Sequence, residues 1–401
     1  MKSTTRCNQK PKSLRLSERA GEATDRRQLA TRLSRLGLRT EDPFHSATIG
    51  EVYLMLTMDC NLRCQACSLW GEGGACHRKA YFEGISEAAP LERLRAFIDE
   101  LVAFRPEYVN FAGGEPLMSP HWRELSRRAK DRGLRTILTT NGVFLDRFAQ
   151  EVAANFDQVN ISIACPPAMS KELRGGPSGH YQVMMCGLKR LAGLRDRGAG
   201  RKPILRLMCE VFDSNGDHLI SLIDHLKDEG VAFDEIYFMH LIFNRPSVLS
   251  AQKRVFKEEF GIPLGLWNGY GYRPHAMDYE ALDRALGKLR DSLPHARFNI
   301  ALRGAKALRD YYEGRRRGLG AAFCDGPWRQ VNVFPNGQVW VCPDYVLGDL
   351  REGNFAGIWD GPKARALRRR TFSNIFPACR GCFSFYEKEQ PVGSVDAGAP
   401  E

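Results

Sequence analysis

No stretch of eighteen or more apolar residues occurs in the 401-residue chain, which excludes a transmembrane helix. The N-terminus is polar and basic and has no apolar h-region, so no secretory signal is read there and a cytoplasmic location is expected. Without export, the twelve cysteines are expected as thiols or metal ligands, not disulfides. Base-stacking aromatics do not interleave with the Lys/Arg runs. The net charge of +11 therefore reads as a solvated surface, and neither nucleic acid nor membrane is an expected partner.

What is present is ordinary in bulk: 43% hydrophobic and 10% aromatic residues are enough to bury a sizeable core. Residues 1–45 form a basic extension, with eleven Lys/Arg against five Asp/Glu in the first 42 residues and one short amphipathic helix expected over Asp25–Gly37. From 46 to 242 short Val/Ile/Leu/Tyr/Phe-rich runs alternate with helical periods. Strands are expected at Glu51–Thr57, Tyr108–Ala112, Arg135–Thr140, Gln158–Ile163, Ile204–Val211 and Glu235–His240. Repeated βαβ units mean a parallel sheet, so the fold class is α/β, a partial (β/α)6 barrel. A connecting region, 243–320, holds a Gly- and aromatic-rich loop from Gly265 to His275 and a helix over Asp278–Leu293. A small hairpin-plus-helix domain follows at 321–390, where Asn336-Gly337 between alternating segments signals a tight hairpin, and 391–401 is a tail.

Cysteines cluster at two places. Cys60, Cys64 and Cys67 stand in a C-x3-C-x2-C run directly after the first strand. Three thiolates on one loop can hold three irons of a four-iron cluster and leave the fourth open to bind and activate a ligand. The alternative is structural zinc, completed by Cys76 or His77. Reactive groups in parallel α/β sheets gather at the C-terminal ends of the strands. Gly113-Gly114-Glu115-Pro116 follows the second strand, Asn141-Gly142 the third, and Ser162 and Cys165 the fourth, so all converge on one face with the cysteine loop.

This combination resembles the radical S-adenosylmethionine (SAM) enzymes over residues 50–242. The resemblance implies that Cys60, Cys64 and Cys67 hold a [4Fe–4S] cluster whose open iron chelates SAM. It implies that Gly113, Gly114, Glu115 and the adjoining Pro116 cradle the SAM amino group, that Ser162 meets the ribose, and that Asn141 serves the carboxylate or ribose. It further implies reductive cleavage of SAM to a 5′-deoxyadenosyl radical, fed by a one-electron reductant such as flavodoxin or ferredoxin. The residue before the third cysteine is usually aromatic in this family; here it is Ala66, and Trp70 is the substitute expected against the adenine.

The second group, Cys324, Cys342, Cys379 and Cys382, is similar to the twitch or SPASM extensions of the same superfamily and implies a second, fully ligated [4Fe–4S] cluster. A zinc ribbon is the rival reading. Such a cluster can accept an electron in an oxidation, while a cysteine can donate hydrogen in an epimerisation, for which Cys165 is the candidate. The N-terminal extension lacks a strand-rich leader-binding pattern, which favours a small polar natural-product intermediate, sugar- or aminocyclitol-like, as in antibiotic biosynthesis. Its expected contacts are Glu210, His240, Trp267, Tyr270, Tyr272, Arg273 and His275. The competing functions are a peptide maturase, an RNA- or nucleotide-modifying radical enzyme, and a zinc-stabilised binding protein without catalysis.

Overall fold

Alternation along the strands decides which side chains meet the barrel lumen. In β5 (Ile204–Val211) Leu205, Leu207, Cys209 and Val211 are buried, while Arg206, Met208 and Glu210 on the other face remain partly open. The same period runs through β1 (Glu51–Met55) and β6 (Glu235–His240). Apolar side chains turn outward under the helices, and the lumen keeps the polar ones. The computed structural model describes residues 42–382 apart from 43, 72, 199–201, 214, 272–276, 301 and 315–323. The expected helix Asp25–Gly37 and the contacts Tyr272, Arg273 and His275 lie outside the described residues.

One ten-stranded sheet runs β10-β9-β8-β1-β2-β3-β4-β5-β6-β7. Its remaining strands are β2 (Tyr108–Ala112), β3 (Thr136–Thr140), β4 (Gln158–Ser162), β7 (Ala296–Phe298), β8 (Gln330–Val333), β9 (Gln338–Trp340) and β10 (Val346–Asp349). From β8 through β1 to β7 every pairing is parallel; only β8–β9 and β9–β10 are antiparallel. The six expected strands match β1 to β6 with small shifts at their ends. The C-terminal hairpin, expected as part of a separate domain, adds to the barrel sheet, with Glu51 of β1 beside Gln330 of β8.

The helices are α1 (Lys79–Ser86), α2 (Leu91–Phe104), α3 (Trp122–Asp131), α4 (Leu145–Asn155), α5 (Pro167–Arg174), α6 (His180–Arg197), α7 (Leu219–Asp228), α8 (Pro246–Val255), α9 (Tyr279–Ser292), α10 (Ala305–Tyr312), α11 (Phe355–Trp359) and α12 (Pro362–Ser373), beside shorter turns. Three of these, α1, α5 and α8, carry no sequence expectation, and α11 and α12 fall in the expected hairpin-plus-helix segment, for which no helix bounds were expected. Three of them, α5, α8 and α12, open on a proline that suits a first helical turn and otherwise reads as a loop. The loop from Gly265 is in part a short 3-10 turn, Leu266–Tyr270. At the hairpin, Gly337 has φ +85° and its N–H donates to the Phe334 carbonyl, the tight reversal that Asn-Gly announces. Among the described residues no helix is long and apolar enough to cross a membrane.

Candidate SAM and iron–sulfur site

Directly after β1, Thr57–Asp59 lies against the Gly113-Gly114 turn. The Gly114 and Glu115 amides donate to the Thr57 and Asp59 carbonyls, both at 2.7 Å. A Cβ on Gly113 would fall 2.2 Å from the Thr57 carbonyl oxygen, and one on Gly114 2.1 Å from that of Asp59. Only glycine permits this approach, and it fixes where the cysteine loop begins. The loop's other side is tied to α5: Arg63 N–H donates to the Arg174 carbonyl at 2.9 Å and Gln65 N–H to that of Leu173 at 3.0 Å.

A cavity of about 350 Å³ opens at the C-terminal ends of the strands. Cys60, Cys64 and Cys67 line one side, with Gly113, Gly114, Asn141, Ser162 and Glu210 around them. The Cys60 sulfur accepts hydrogen bonds from Leu62 N–H at 3.4 Å and Asn141 Nδ2 at 3.7 Å, and the Cys67 sulfur from Leu69 N–H at 3.4 Å. Burial nevertheless pushes the Cys60 thiol up and the Cys67 thiol up to about 12. Thiols so placed are held as thiolates by a metal centre rather than by the protein alone.

The second set gathers beneath the hairpin. Cys324 and Cys379 are buried, Cys342 and Cys382 half-buried. Burial first, then the other three cysteines, drive the Cys379 thiol well above its ordinary value; Cys342 behaves alike, with Cys324 and Cys382 in reach. Four sulfurs in one another's field, two of them on buried residues, fit a closed cluster. Among the described residues no three His, Cys, Asp or Glu side chains are close enough to hold a single metal ion. Ligands at the corners of a four-iron cuboid stand wider apart than those of one zinc.

Tyr270 lies between the two sets. Its hydroxyl is hydrogen-bonded to the Ser68 side chain, it lines the cavity, and it is within the field of both Cys67 and Cys382. Asp344, in left-handed conformation at φ 67°, places it. The buried Asp344 carboxylate accepts the N–H groups of Gly265, Leu266 and Trp267 at 2.7 to 3.1 Å and the Tyr81 hydroxyl at 2.7 Å. The turn so anchored rests on the cysteine loop, since a Cβ on Gly269 would fall 1.9 Å from the Ser68 carbonyl oxygen.

Several expected site residues have other work. Glu115 is fully buried and is not among the residues lining the cavity; its carboxylate accepts from Thr140 Oγ1 at 2.8 Å, Leu117 N–H at 3.1 Å and Asn141 N–H at 2.8 Å. It clamps β2 to β3, and Pro116 opens the turn behind it. Asn141 lines the cavity, but its two amide protons go to the Cys60 sulfur and, at 2.7 Å, to Asn61 Oδ1, so it orients the cysteine loop. Trp70 is turned away from the cavity. Its indole N–H donates to the Met58 carbonyl at 3.2 Å, and the Arg63 guanidinium lies 3.7 Å from its ring centroid. Cys165 stands behind the wall among Leu173, Phe212 and Leu241, with burial raising its thiol to about 11.

His240 ends β6, yet its imidazole shares the outward face with Ile236 and Phe238 and meets the Tyr312 hydroxyl of α10 at 2.9 Å. That hydroxyl also lies 2.8 Å from the Val211 carbonyl, which can only accept. The Tyr312 proton therefore sits there, and His240 Nδ1–H is the donor to Tyr312. Burial holds this histidine neutral, lowered to about 3. Its residue borders the cavity, while its ring braces the sheet against α10. Trp267 is likewise buried in the core. Ser162 and Glu210 do face the cavity, and neither side chain has a hydrogen bond among the described residues.

Sequence reasoning missed Arg174. It lines the cavity, is 6% exposed, and donates to the Ser162 carbonyl. As the single Lys or Arg among the described lining residues, it suits a carboxylate such as that of SAM. The signal was the Arg174-Gly175-Gly176 run: Gly175 at φ +56° ends α5.

The radical SAM superfamily pattern matches residues 54–198, and an iron-sulfur cluster-binding domain of the SPASM type matches residues 324–383. The chain carries a radical SAM domain and, after it, a SPASM-type iron–sulfur domain. SAM, a SAM-binding [4Fe–4S] cluster and an auxiliary iron–sulfur cluster are its cofactors. It is 27% identical over 329 residues to pre-heme d1 synthase of Dinoroseobacter shibae, covering 79% of this chain and 74% of that protein. It is 27% identical over 205 residues to a probable GTP 3′,8-cyclase of Methanococcus aeolicus, covering 49% of this chain and 61% of that protein. The chain thus spans about three fifths of the latter's length. Streptococcus suis SuiB bound to the precursor peptide SuiA shares the fold, with a TM-score of 0.56 at 13% identity over 91% of this chain and 75% of that one.

Proposed function

We propose that this radical SAM enzyme oxidises a small polar natural-product intermediate, sugar- or aminocyclitol-like, in the cytoplasm, with a flavodoxin- or ferredoxin-type protein as reductant. The observation that carries the reading is the cavity with one cysteine set in its wall and Tyr270 linking it to the second set. When bound, the cofactors would supply hydrogen-atom abstraction, with methionine and 5′-deoxyadenosine as the products from SAM, and a second cluster able to accept the remaining electron as the substrate's proton leaves to solvent. The chain's part is position. Cys60, Cys64 and Cys67 hold the first cluster, Arg174 meets the SAM carboxylate, and Ser162 offers its hydroxyl to the ribose. Leu62 and Ile163 give the adenine an apolar wall in place of the expected Trp70. Oxidation is favoured over epimerisation because Cys165, the expected hydrogen donor, is walled off from the cavity.

Anaerobic reconstitution with SAM and dithionite tests the reading. About eight irons per chain and release of 5′-deoxyadenosine are expected; a colourless, zinc-filled protein that leaves SAM intact would overturn it. The fold shared with SuiB supports a second reading, a peptide maturase. Deuterium transfer into 5′-deoxyadenosine from a labelled peptide, and from no labelled cyclitol, would favour that one.

A further inference from the structure

The wall contributed by β5 and β6 has a chemistry of its own. Alternation turns Met208 and Glu210 of β5 and Met239 of β6 into the cavity, and Glu210 and Met239 are register partners on neighbouring strands. The Glu210 carboxylate accepts no hydrogen bond and forms no ion pair among the described residues. Burial pushes its pKa up, and the Arg174 charge only partly opposes this. Arg174 is already hydrogen-bonded to the Ser162 carbonyl. Among the described residues the cavity therefore offers one unmet carboxylate beside two thioethers and no second cation. An isolated carboxylate out of water is costly until a donor meets it. A phosphate or a set of carboxylates placed here would meet a like charge instead.

Resting on the reading of this cavity as the SAM and substrate chamber, we propose that Glu210 is the substrate-recognising anion: the substrate end held between Met208 and Met239 presents a hydrogen-bond donor, best a protonated amine, and phosphorylated or polycarboxylate substrates are excluded from it. The thioethers cover the apolar face of the ring or chain that bears the amine. A charge-assisted hydrogen bond then sets orientation, bringing one C–H toward the cluster side.

Three probes of similar frame and different charge test this: 2-deoxystreptamine, myo-inositol and myo-inositol 1-phosphate. Each is titrated by calorimetry into the reconstituted, SAM-saturated, oxidised enzyme. The expected order of affinity is amine, then polyol, then phosphate, with the amine bound about tenfold or more tighter than the polyol. Glu210→Gln is expected to erase the preference and Glu210→Asp to keep it, with iron content and SAM affinity as in the parent. The proposal is overturned if the amine probe does not bind, if the phosphate binds best, or if the order is the same in Glu210→Gln. A fall in SAM affinity in Glu210→Gln would also overturn it, since the carboxylate would then serve the cofactor. Release of 5′-deoxyadenosine without any probe reports separately on the chamber itself, so failure of one reading is distinguishable from failure of the other.

Discussion

Replacing Glu115 separates two roles for the carboxylate, because the structure gives it three protein donors and no place in the cavity wall. Glu115→Ala strands the Leu117 and Asn141 amides and the Thr140 hydroxyl in a site closed to water. Each stranded buried donor costs roughly 1–3 kcal/mol. The hydroxyl can turn to another acceptor, so a total of about 2–6 kcal/mol from the two amides is expected, a large part of the roughly 5–15 kcal/mol that holds a folded protein together. Glu115→Gln keeps one acceptor oxygen for Thr140 and Leu117 and sets an NH2 group against the Asn141 N–H, at roughly 2–3 kcal/mol. Burial outweighs these donors and lifts the parent carboxyl to about 7. A folded pKa above the unfolded value means the folded state holds the proton more tightly. Stability from this group is present below about 4.5 and lost as pH rises through about 7, so the gap between parent and Glu115→Gln narrows over that window. Urea unfolding followed by far-UV circular dichroism at several pH values, with iron content after reconstitution, measures all of this. Variants that unfold within about 0.5 kcal/mol of the parent while their SAM affinity collapses would refute the clamp and restore the expected ligand role.

Asn141→Ala removes a donor from the Cys60 sulfur, worth about 1 kcal/mol. For a one-electron couple that moves the first cluster's midpoint potential roughly 40 mV more negative, readable by EPR-monitored redox titration; no shift would show that the contact is not kept with the cluster bound. Trp70→Ala is expected to lower stability by roughly 3 kcal/mol through lost packing while SAM affinity stays unchanged in calorimetry. Cys165→Ala is expected to keep product formation at the parent level, and its loss in a folded, iron-replete variant would return the cysteine to the chemistry. His240 has a folded pKa near 3, below its ordinary value, so its stabilising share is present above about 6.5 and lost as pH falls toward 3, at up to about 1.4 kcal/mol per unit. His240→Gln should flatten the acid limb of the stability curve, and an unaltered limb would count against it.

The six barrel strands were legible because short β-branched runs bounded by helical periods announce βαβ units, and the motif positions then followed from strand ends. What sequence could not supply was the phase of the alternation. Glu210 and His240 both stand near strand ends and both border the cavity, yet a period of two turns the Glu210 side chain inward and the His240 ring against Tyr312. Glu115 and Asn141 illustrate a second limit: a motif marks where polar side chains are needed, but not whether they face the ligand or hold the turn that does. Arg174 escaped because α5 is only eight residues long and opens on Pro167, so its last turn read as loop.

The anchoring of Tyr270 ties the two cysteine sets together more closely than either motif implies. Asp344 lies two residues beyond Cys342, and its carboxylate gathers the backbone of Gly265, Leu266 and Trp267. The turn that follows carries Tyr270 onto Ser68, the residue after Cys67. The C-terminal segment therefore does two things at once: it brings four thiols together and sets one wall of the chamber at the other cluster. An auxiliary domain that served only electron transfer would need proximity alone. Here a fixed carboxylate and a glycine-to-carbonyl contact hold the aromatic wall in register with the radical-generating loop, so loss of the C-terminal segment should open the chamber as well as remove a redox centre.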